Sequence, residues 1–342
     1  MQTRLSSKLV VGVLTVLFVV SALSPLAAPV GAVTSIVVKQ FVPNPDYGTY
    51  TCSSTSPCPM GVTDYGVNGK STYSYKAVEW NTWSNFTKLT IAGNHQMTIQ
   101  QNTVDYGVYE TGKGPAKSGV YWIQDVPYIT QSGKSYTIQL LDNIWNMSST
   151  TAEMGGKIFG NLESDCSQTG GQPQFYYCVG KQVFKTTLPF EIQMLAFTEV
   201  LPSGGHAGSS AVFFAIAVYH SGTLVGSATF DEVAFNGAAT GGAQPWFQVG
   251  GTNPYGLPND AETVQCGPGG GSSQVITKVA ATMSEFYVPV GGGAFSPVPH
   301  AWSAGSDTAE TVSGVLMKHG TTGSGFNDGV AKTGADNNVQ LW

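Results

Sequence analysis

Carboxyl and side-chain amide groups lie among bulky apolar residues in one stretch of the chain. Gln124 and Asp125 follow Trp122 closely, and Asp142 stands three residues before Trp145. A carboxylate next to an indole ring is costly to desolvate unless another group compensates it. Chains keep such groups where they hold a turn or where they do chemistry. We therefore take these acids and the neighbouring amide as candidates for general acid–base catalysis.

A second acidic patch contains Asp260 and Glu262, which are two residues apart. In an extended segment both side chains would lie on the same face and could pair. A third patch holds Asp307 and Glu310, which have the spacing of an N-cap and its capping-box partner. That spacing predicts a short helix over residues 308–315 and a structural role for the third patch.

These groups allow two forms of acid peptide hydrolysis. Two close carboxyls cannot both ionise cheaply, which is the aspartic-protease pattern, and Asp125 could pair in this way with Asp142 or Glu262. Alternatively, Glu262 acts as base and acid while Gln124 stabilises the oxyanion, which resembles the Gln/Glu pair of the eqolisins, acid peptidases built on a β-sandwich. Because adjacent residues of a strand point to opposite faces, at most one of Gln124 and Asp125 faces a given cleft.

Signals for other chemistries are missing from the sequence. The five histidines are scattered without an HExxH or a Cys–His spacing, and no G-x-S-x-G elbow occurs. The Gly-rich stretch 267–271 follows an apolar run, but no helical pattern comes after it, which argues against a nucleotide-binding loop. We therefore expect neither a metal nor a cofactor.

The composition indicates that the protein works in an acidic environment. Only 11% of the residues are charged, and the net charge is −6, whereas soluble domains usually have roughly 25% charged residues. Few charges limit self-repulsion in acid, although an ordinary secreted β protein could also have such a surface. A negative net charge makes nucleic acid an unsuitable partner.

The first residues have the pattern of an export signal. Arg4 and Lys8 precede an apolar run over 9–26, and small residues follow it. We predict a signal peptide over 1–32, a possible pro-segment over 33–45, and a secreted protein without membrane contact after cleavage. An uncleaved signal would instead tether the protein to the cell surface.

The remainder predicts an all-β fold. Short Val-, Ile-, Tyr- and Thr-rich runs are separated by Gly and Pro, and residues 97–101 alternate between apolar and polar types. We expect a large β-sandwich or two packed antiparallel sheets with long Gly/Pro-rich loops over 46–342. A boundary near 201–210 could divide this catalytic region into two lobes.

Export permits disulfides, and the cysteine spacing suggests two local pairs. Cys52 could pair with Cys58, and Cys166 with Cys178. Cys266 remains, and without a visible base partner we assign it to packing.

Several segments, taken in order, resemble the thermopepsins, secreted acid endopeptidases of acid- and heat-loving archaea. The segments are Pro57 to Val67, Tyr121 to Val126, Leu141 to Asn146, Gln174 to Gly180, Asp260 to Val264 and Pro297 to Glu310. The sequence departs from the family pattern at Cys178, Gln265 and Cys266. The resemblance implies an acid-active protease with polypeptide substrates and a mainly β fold, and we expect a monomer.

Aromatic residues near the candidate acids would line a substrate cleft or belong to the core. We take Trp122, Trp145, Tyr176 and Asp260 as candidate substrate-binding residues.

Two functions of other classes stay open at this point. A non-catalytic surface or adhesion protein could keep the same β scaffold. A glycoside hydrolase would need two carboxyls roughly 5 to 9 Å apart, but the Glu-x-Asp-x-Glu pattern of β-sandwich glycosidases is missing.

Overall fold

The computed structural model describes the greater part of the chain from residue 49 onward. The described residues are 49–52, 54, 60–64, 66–68, 71–110, 117–148, 159–160, 166–168, 175–202, 207–234, 244–256, 258–299, 302–304, 310–319 and 338–341. The predicted signal peptide and pro-segment lie outside them, as do the side chains of Cys52 and Cys58.

All regular elements in these residues are strands, which confirms the all-β prediction. In chain order they are β1 Thr49–Cys52, β2 Met60–Asp64, β3 Val67–Asn68, β4 Ser71–Thr72, β5 Tyr75–Ile91, β6 Gln96–Glu110, β7 Lys117–Ser132, β8 Ser135–Asn146, β9 Phe159–Gly160, β10 Cys166–Gln168, β11 Phe175–Thr187, β12 Phe190–Val200, β13 Ser210–His220, β14 Thr223–Ala234, β15 Trp246–Val249, β16 Ala261–Cys266, β17 Ser273–Pro289, β18 Ser296–Pro297, β19 Trp302–Ala304, β20 Thr311–Ser313, β21 Val315–His319 and β22 Asn338–Leu341.

The strands form two antiparallel layers, which we call the first and second sheets. In the first sheet the neighbours run β11, β8, β7, β6, β16 and β2. In the second they run β14, β13, β12, β5, β17, β22 and β21. Strand β15 pairs with both β5 and β6, so the two sheets share one hydrogen-bonded system.

One apolar core lies between the sheets and defines the inner face of each. Alternate residues of β12 are buried, as expected for strands with one face in a core. Polar tips on the first sheet reach across to β5: Tyr136 Oη donates to the Leu89 carbonyl at 2.6 Å, and Gln101 Nε2 donates to the Trp80 carbonyl at 3.0 Å. The face of β6 that carries Gln101 is therefore the inner face.

The predicted helix over 308–315 is wrong. Thr311–Ser313 form β20, which pairs in parallel with Ser273–Val275 of β17. Pairing with β17 gives the backbone N–H and C=O groups of this segment the hydrogen bonds that a helix would have given them locally. The spacing of Asp307 and Glu310 therefore does not determine the local structure. Asp307 lies outside the described residues.

Residues 201–209 connect β12 to β13, and Val200 pairs with Ser210 directly before and after this connection. The division into two lobes stays a prediction.

Cys178 is disulfide-bonded, and Cys166 stands directly opposite it in the backbone register. Cys266 is buried and takes no part in a disulfide, in agreement with a packing role. The described residues contain no helix with the length and apolarity that a membrane span requires.

Candidate active site

A row of polar side chains crosses the outer face of the first sheet. The register places Glu262 of β16 opposite Asn102 of β6, and Asn102 opposite Gln124 of β7. Gln100 lies two residues before Asn102 and therefore shares its face. Because Gln101 belongs to the inner face, these four side chains are on the outer side of the sheet.

Hydrogen bonds join the row into one network. Asn102 Nδ2 donates to Glu262 Oε1 at 2.7 Å. Gln124 Nε2 donates to Asn102 Oδ1 at 2.9 Å and to Gln100 Oε1 at 3.0 Å. All four side chains are at most 5% exposed. The acid and the amide predicted from the sequence as a Gln/Glu pair are thus brought together, and Asn102 connects them.

The Gly-rich stretch 267–271 is attached to one end of this network. Gly271 N donates to Glu310 Oε1 at 2.9 Å, and Gln100 Nε2 lies 3.5 Å from Glu310 Oε2. Thr98 Oγ1 donates to the Gly267 carbonyl at 2.7 Å. Glu310, expected to cap a helix, instead connects the loop to Gln100.

An aromatic cluster adjoins the row on the same face. Trp122 is two residues from Gln124, and Trp145 stands opposite Trp122 on β8. The rings of Trp145 and Phe175 stack with centroids 4.2 Å apart. The buried members of the cluster are Val104, Val120, Trp122, Trp145, Met147 and Phe175, with Tyr106 and Tyr255 packed against them.

The two other predicted substrate-binding residues are less closely defined. Asp260 is fully buried and directly precedes β16. The backbone of Tyr176 pairs with Ile144, while its side chain lies outside the described part of the protein.

Asp125 and Asp142 meet on the inner face, on the side of the sheet opposite Glu262. They stand directly opposite each other on β7 and β8, and both are fully buried. Burial raises the pKa of Asp125 well above its usual range, and neither of its carboxylate oxygens accepts a hydrogen bond from the described residues. The predicted Asp125–Asp142 pair is therefore formed within the core, whereas Asp125 and Glu262 are separated by the sheet.

Further acids that the sequence reading did not select are buried between the sheets. Burial raises the pKa of Asp105 well above normal, and the Tyr106 amide offsets this only in part. Burial likewise raises the pKa of Glu285, against a smaller opposite effect of a hydrogen bond from Thr263.

Asp64 is an inner acid that accepts three hydrogen bonds. Its carboxylate accepts hydrogen bonds from the Tyr73 hydroxyl, from the Tyr75 hydroxyl at 3.0 Å and from the Gly66 amide at 2.8 Å. Burial and the nearby Asp64 raise the pKa of both tyrosines. Asp64 thus connects β2 to the segment between β4 and β5 and to the first residue of β5.

The outer row contains the kinds of groups that water-mediated hydrolysis uses. It offers one carboxylate to exchange a proton and an amide to donate a hydrogen bond to a developing oxyanion. Within the described residues, no three His, Cys, Asp or Glu side chains are grouped so that they could hold a metal ion. Sequence reasoning missed Gln100 and Asn102, although alternating polar residues in a predicted strand were the available signal.

A comparison with protein-family models matches residues 46–315 to the model described as Thermopsin. The match confirms the resemblance seen in the sequence motifs and spans more than half of the chain. The comparison with curated proteins gives no match.

Proposed function

This chain belongs to the Thermopsin family of peptidases, and on that premise we propose that it is an exported acid endopeptidase in which Glu262 and Gln124 are the reacting groups. The observation that carries this proposal is the shared outer face. Glu262 and Gln124 are joined through Asn102 there, beside an aromatic cluster.

Glu262 begins the reaction as a base. Its carboxylate takes a proton from a water molecule while the water oxygen attacks the carbonyl carbon of the peptide. The carbonyl π electrons move to the oxygen, and Gln124 Nε2 donates a hydrogen bond to that oxyanion. When the tetrahedral intermediate collapses, the C–N bond breaks and Glu262 returns its proton to the leaving amine.

The two oxygens of Glu262 have different surroundings that suit this exchange. Oε1 accepts the short bond from Asn102 Nδ2 at 2.7 Å, whereas Thr63 Oγ1 lies 3.5 Å from Oε2. A short hydrogen bond from an amide fixes the orientation of the carboxylate. Oε2 is then the oxygen that takes and returns the proton.

The aromatic cluster supports a preference for large apolar side chains near the cleaved bond. Trp122 and Trp145 are buried beside Gln124, and an apolar environment there would favour burial of a substrate side chain. Tyr176 and Asp260 remain candidate contacts in this proposal. Export and a possible tether to the cell surface also belong to it, supported by the signal pattern, and so does a monomeric state.

The test compares Glu262→Gln and Gln124→Leu with the wild type on denatured casein at about pH 3, while near-UV circular dichroism monitors folding. We expect kcat to fall by about 10²–10⁴ for Glu262→Gln, as for loss of a general acid–base group. Gln124→Leu should lower it by about 10²–10³, as for loss of an oxyanion donor.

The rival aspartic pair gives the opposite result in the same assay. Asp125→Asn would abolish peptide release, and Glu262→Gln would retain it. A folded and processed wild type that releases no peptide anywhere from about pH 1 to 6 would favour the non-catalytic surface protein.

A further inference from the structure

One oxygen atom in the network accepts hydrogen bonds from two different amides. Gln100 Oε1 lies 3.0 Å from Gln124 Nε2 and 3.4 Å from Asn102 Nδ2. Two N–H donors that converge on one oxygen beside a carboxylate form the arrangement that an oxyanion requires.

The orientation of the Asn102 amide is fixed by its neighbours. Its Oδ1 accepts from Gln124 Nε2, so its Nδ2 faces Glu262 and Gln100. Asn102 is fully buried, and inverting its amide would place an oxygen against the Glu262 carboxylate. The second donor is therefore held in place by the same carboxylate that would activate water.

Gln100 makes two long contacts through its amide nitrogen. Its Nε2 lies 3.4 Å from Thr98 Oγ1 and 3.5 Å from Glu310 Oε2, whereas N–H···O bonds are usually about 2.9–3.0 Å long. If another oxygen took the place of the Gln100 carbonyl oxygen, the two donors would keep an acceptor.

We propose that Asn102 Nδ2 and Gln124 Nε2 together bind the carbonyl oxygen of the scissile peptide, and that Gln100 Oε1 occupies this position until substrate displaces it. Asn102 is then a further catalytic residue, and Gln100 is an internal competitor of the substrate. This inference rests on the proposed function, since it concerns the same reaction.

The experiment measures calorimetric binding of a peptide phosphinate, whose tetrahedral phosphinate oxygens replace the oxyanion, to the full chain at about pH 4. Removing the competitor with Gln100→Ala should lower Kd about fivefold or more, because apparent affinity rises with the fraction of sites that are open. Asn102→Ala should raise Kd about tenfold, because a donor to a charged oxygen is lost.

Gln193→Ala is the matched control, since it removes a half-buried side-chain amide from the second sheet. It should leave Kd within about twofold, the scatter of a residue that does not contact the ligand. Gln100→Asn is a second variant for the case in which Gln100→Ala does not fold. It keeps an amide but shortens its reach, and it should also tighten binding.

Unchanged or weaker binding in both Gln100 variants overturns the inference. Failure of the proposed function has a different signature, in which the wild type neither cleaves casein nor binds the phosphinate. If the wild type does both and neither Gln100 variant binds more tightly, the inference is refuted and the proposed function stands.

Discussion

The buried acids between the sheets predict that the protein is most stable in acid. Burial raises the pKa of Asp105, Asp125 and Glu285 well above normal in the folded chain, whereas unfolded carboxyls titrate at about pH 4. Above that pH the folded state retains protons that the unfolded state has lost. Their contribution to stability is therefore fully present below about pH 4 and is lost as the pH rises toward their folded pKa values.

The magnitude follows from the number of groups. Each acid that is protonated when folded and ionised when unfolded lowers the unfolding free energy by about 1.4 kcal/mol per pH unit. Three such groups give a slope of about 4 kcal/mol per pH unit. Because domains are typically stable by only about 5–15 kcal/mol, a slope of this size would remove a large part of the stability for each pH unit over which it acts.

The assay is urea denaturation followed by tryptophan fluorescence, repeated at several pH values from about 3 to 6, the range in which these carboxyls ionise. Glu262→Gln serves as the background for all samples, so that self-digestion does not distort the curves. In that background Asp125→Asn should reduce the slope by about 1.4 kcal/mol per pH unit, since one titrating group is gone.

Gln193→Ala, which changes a half-buried side chain of β12 without removing a titrating group, provides the control and should leave the slope close to that of the background. A stability that stays constant or rises between about pH 4 and 6 would refute the reasoning. So would an Asp125→Asn variant with the same slope as its background, because the buried carboxyl would then not be the titrating group.

Two further predictions concern packing and specificity. Gly107 has a φ of 74°, and a Cβ atom there would lie 2.2 Å from the Trp246 ring; Gly107→Ala should therefore cost about 2–5 kcal/mol in urea denaturation, from overpacking and left-handed strain together. Gly133→Ala, with a φ of 60° and open space around it, is its control and should show only the strain of about 1–2 kcal/mol. Trp145→Ala should raise KM for peptides with large apolar residues by about tenfold or more and change kcat less, since buried apolar contact of this size contributes about 1.5–3 kcal/mol; equal KM values would show that the cluster does not contact substrate.

Local sequence patterns were sufficient to predict an all-β fold and the opposite orientation of neighbouring side chains in a strand. The separation of Gln124 from Asp125 follows from strand alternation alone, and the structure places them on the outer and inner faces. Whether a segment forms a strand, and which of its side chains share a face, depends on consecutive residues. The sequence therefore reveals both without knowledge of the strands that pair with it.

The connections within the site could not be predicted in the same way. Asn102 and Glu262 are 160 residues apart in sequence, and no local rule sets the register between β6 and β16. Glu310 is an example in which a local rule gave the wrong structure. Its spacing from Asp307 satisfied a helix rule, but pairing of β20 with β17 decided the structure.

The acids on both faces of the first sheet depend on the pH around the protein. On the inner face Asp125 is kept in the core beside Asp142, which acid conditions allow because the neutral carboxyl costs far less to bury than the ion. On the outer face the proposed reaction needs Glu262 to exchange a proton with water and then with an amine. An increase in pH would therefore lower activity in two ways, by ionising buried acids and destabilising the fold, and by changing the protonation of the proposed site. For this reason loss of activity above pH 4 cannot by itself identify the reacting acid, whereas kcat measured on folded Glu262 and Asp125 variants can.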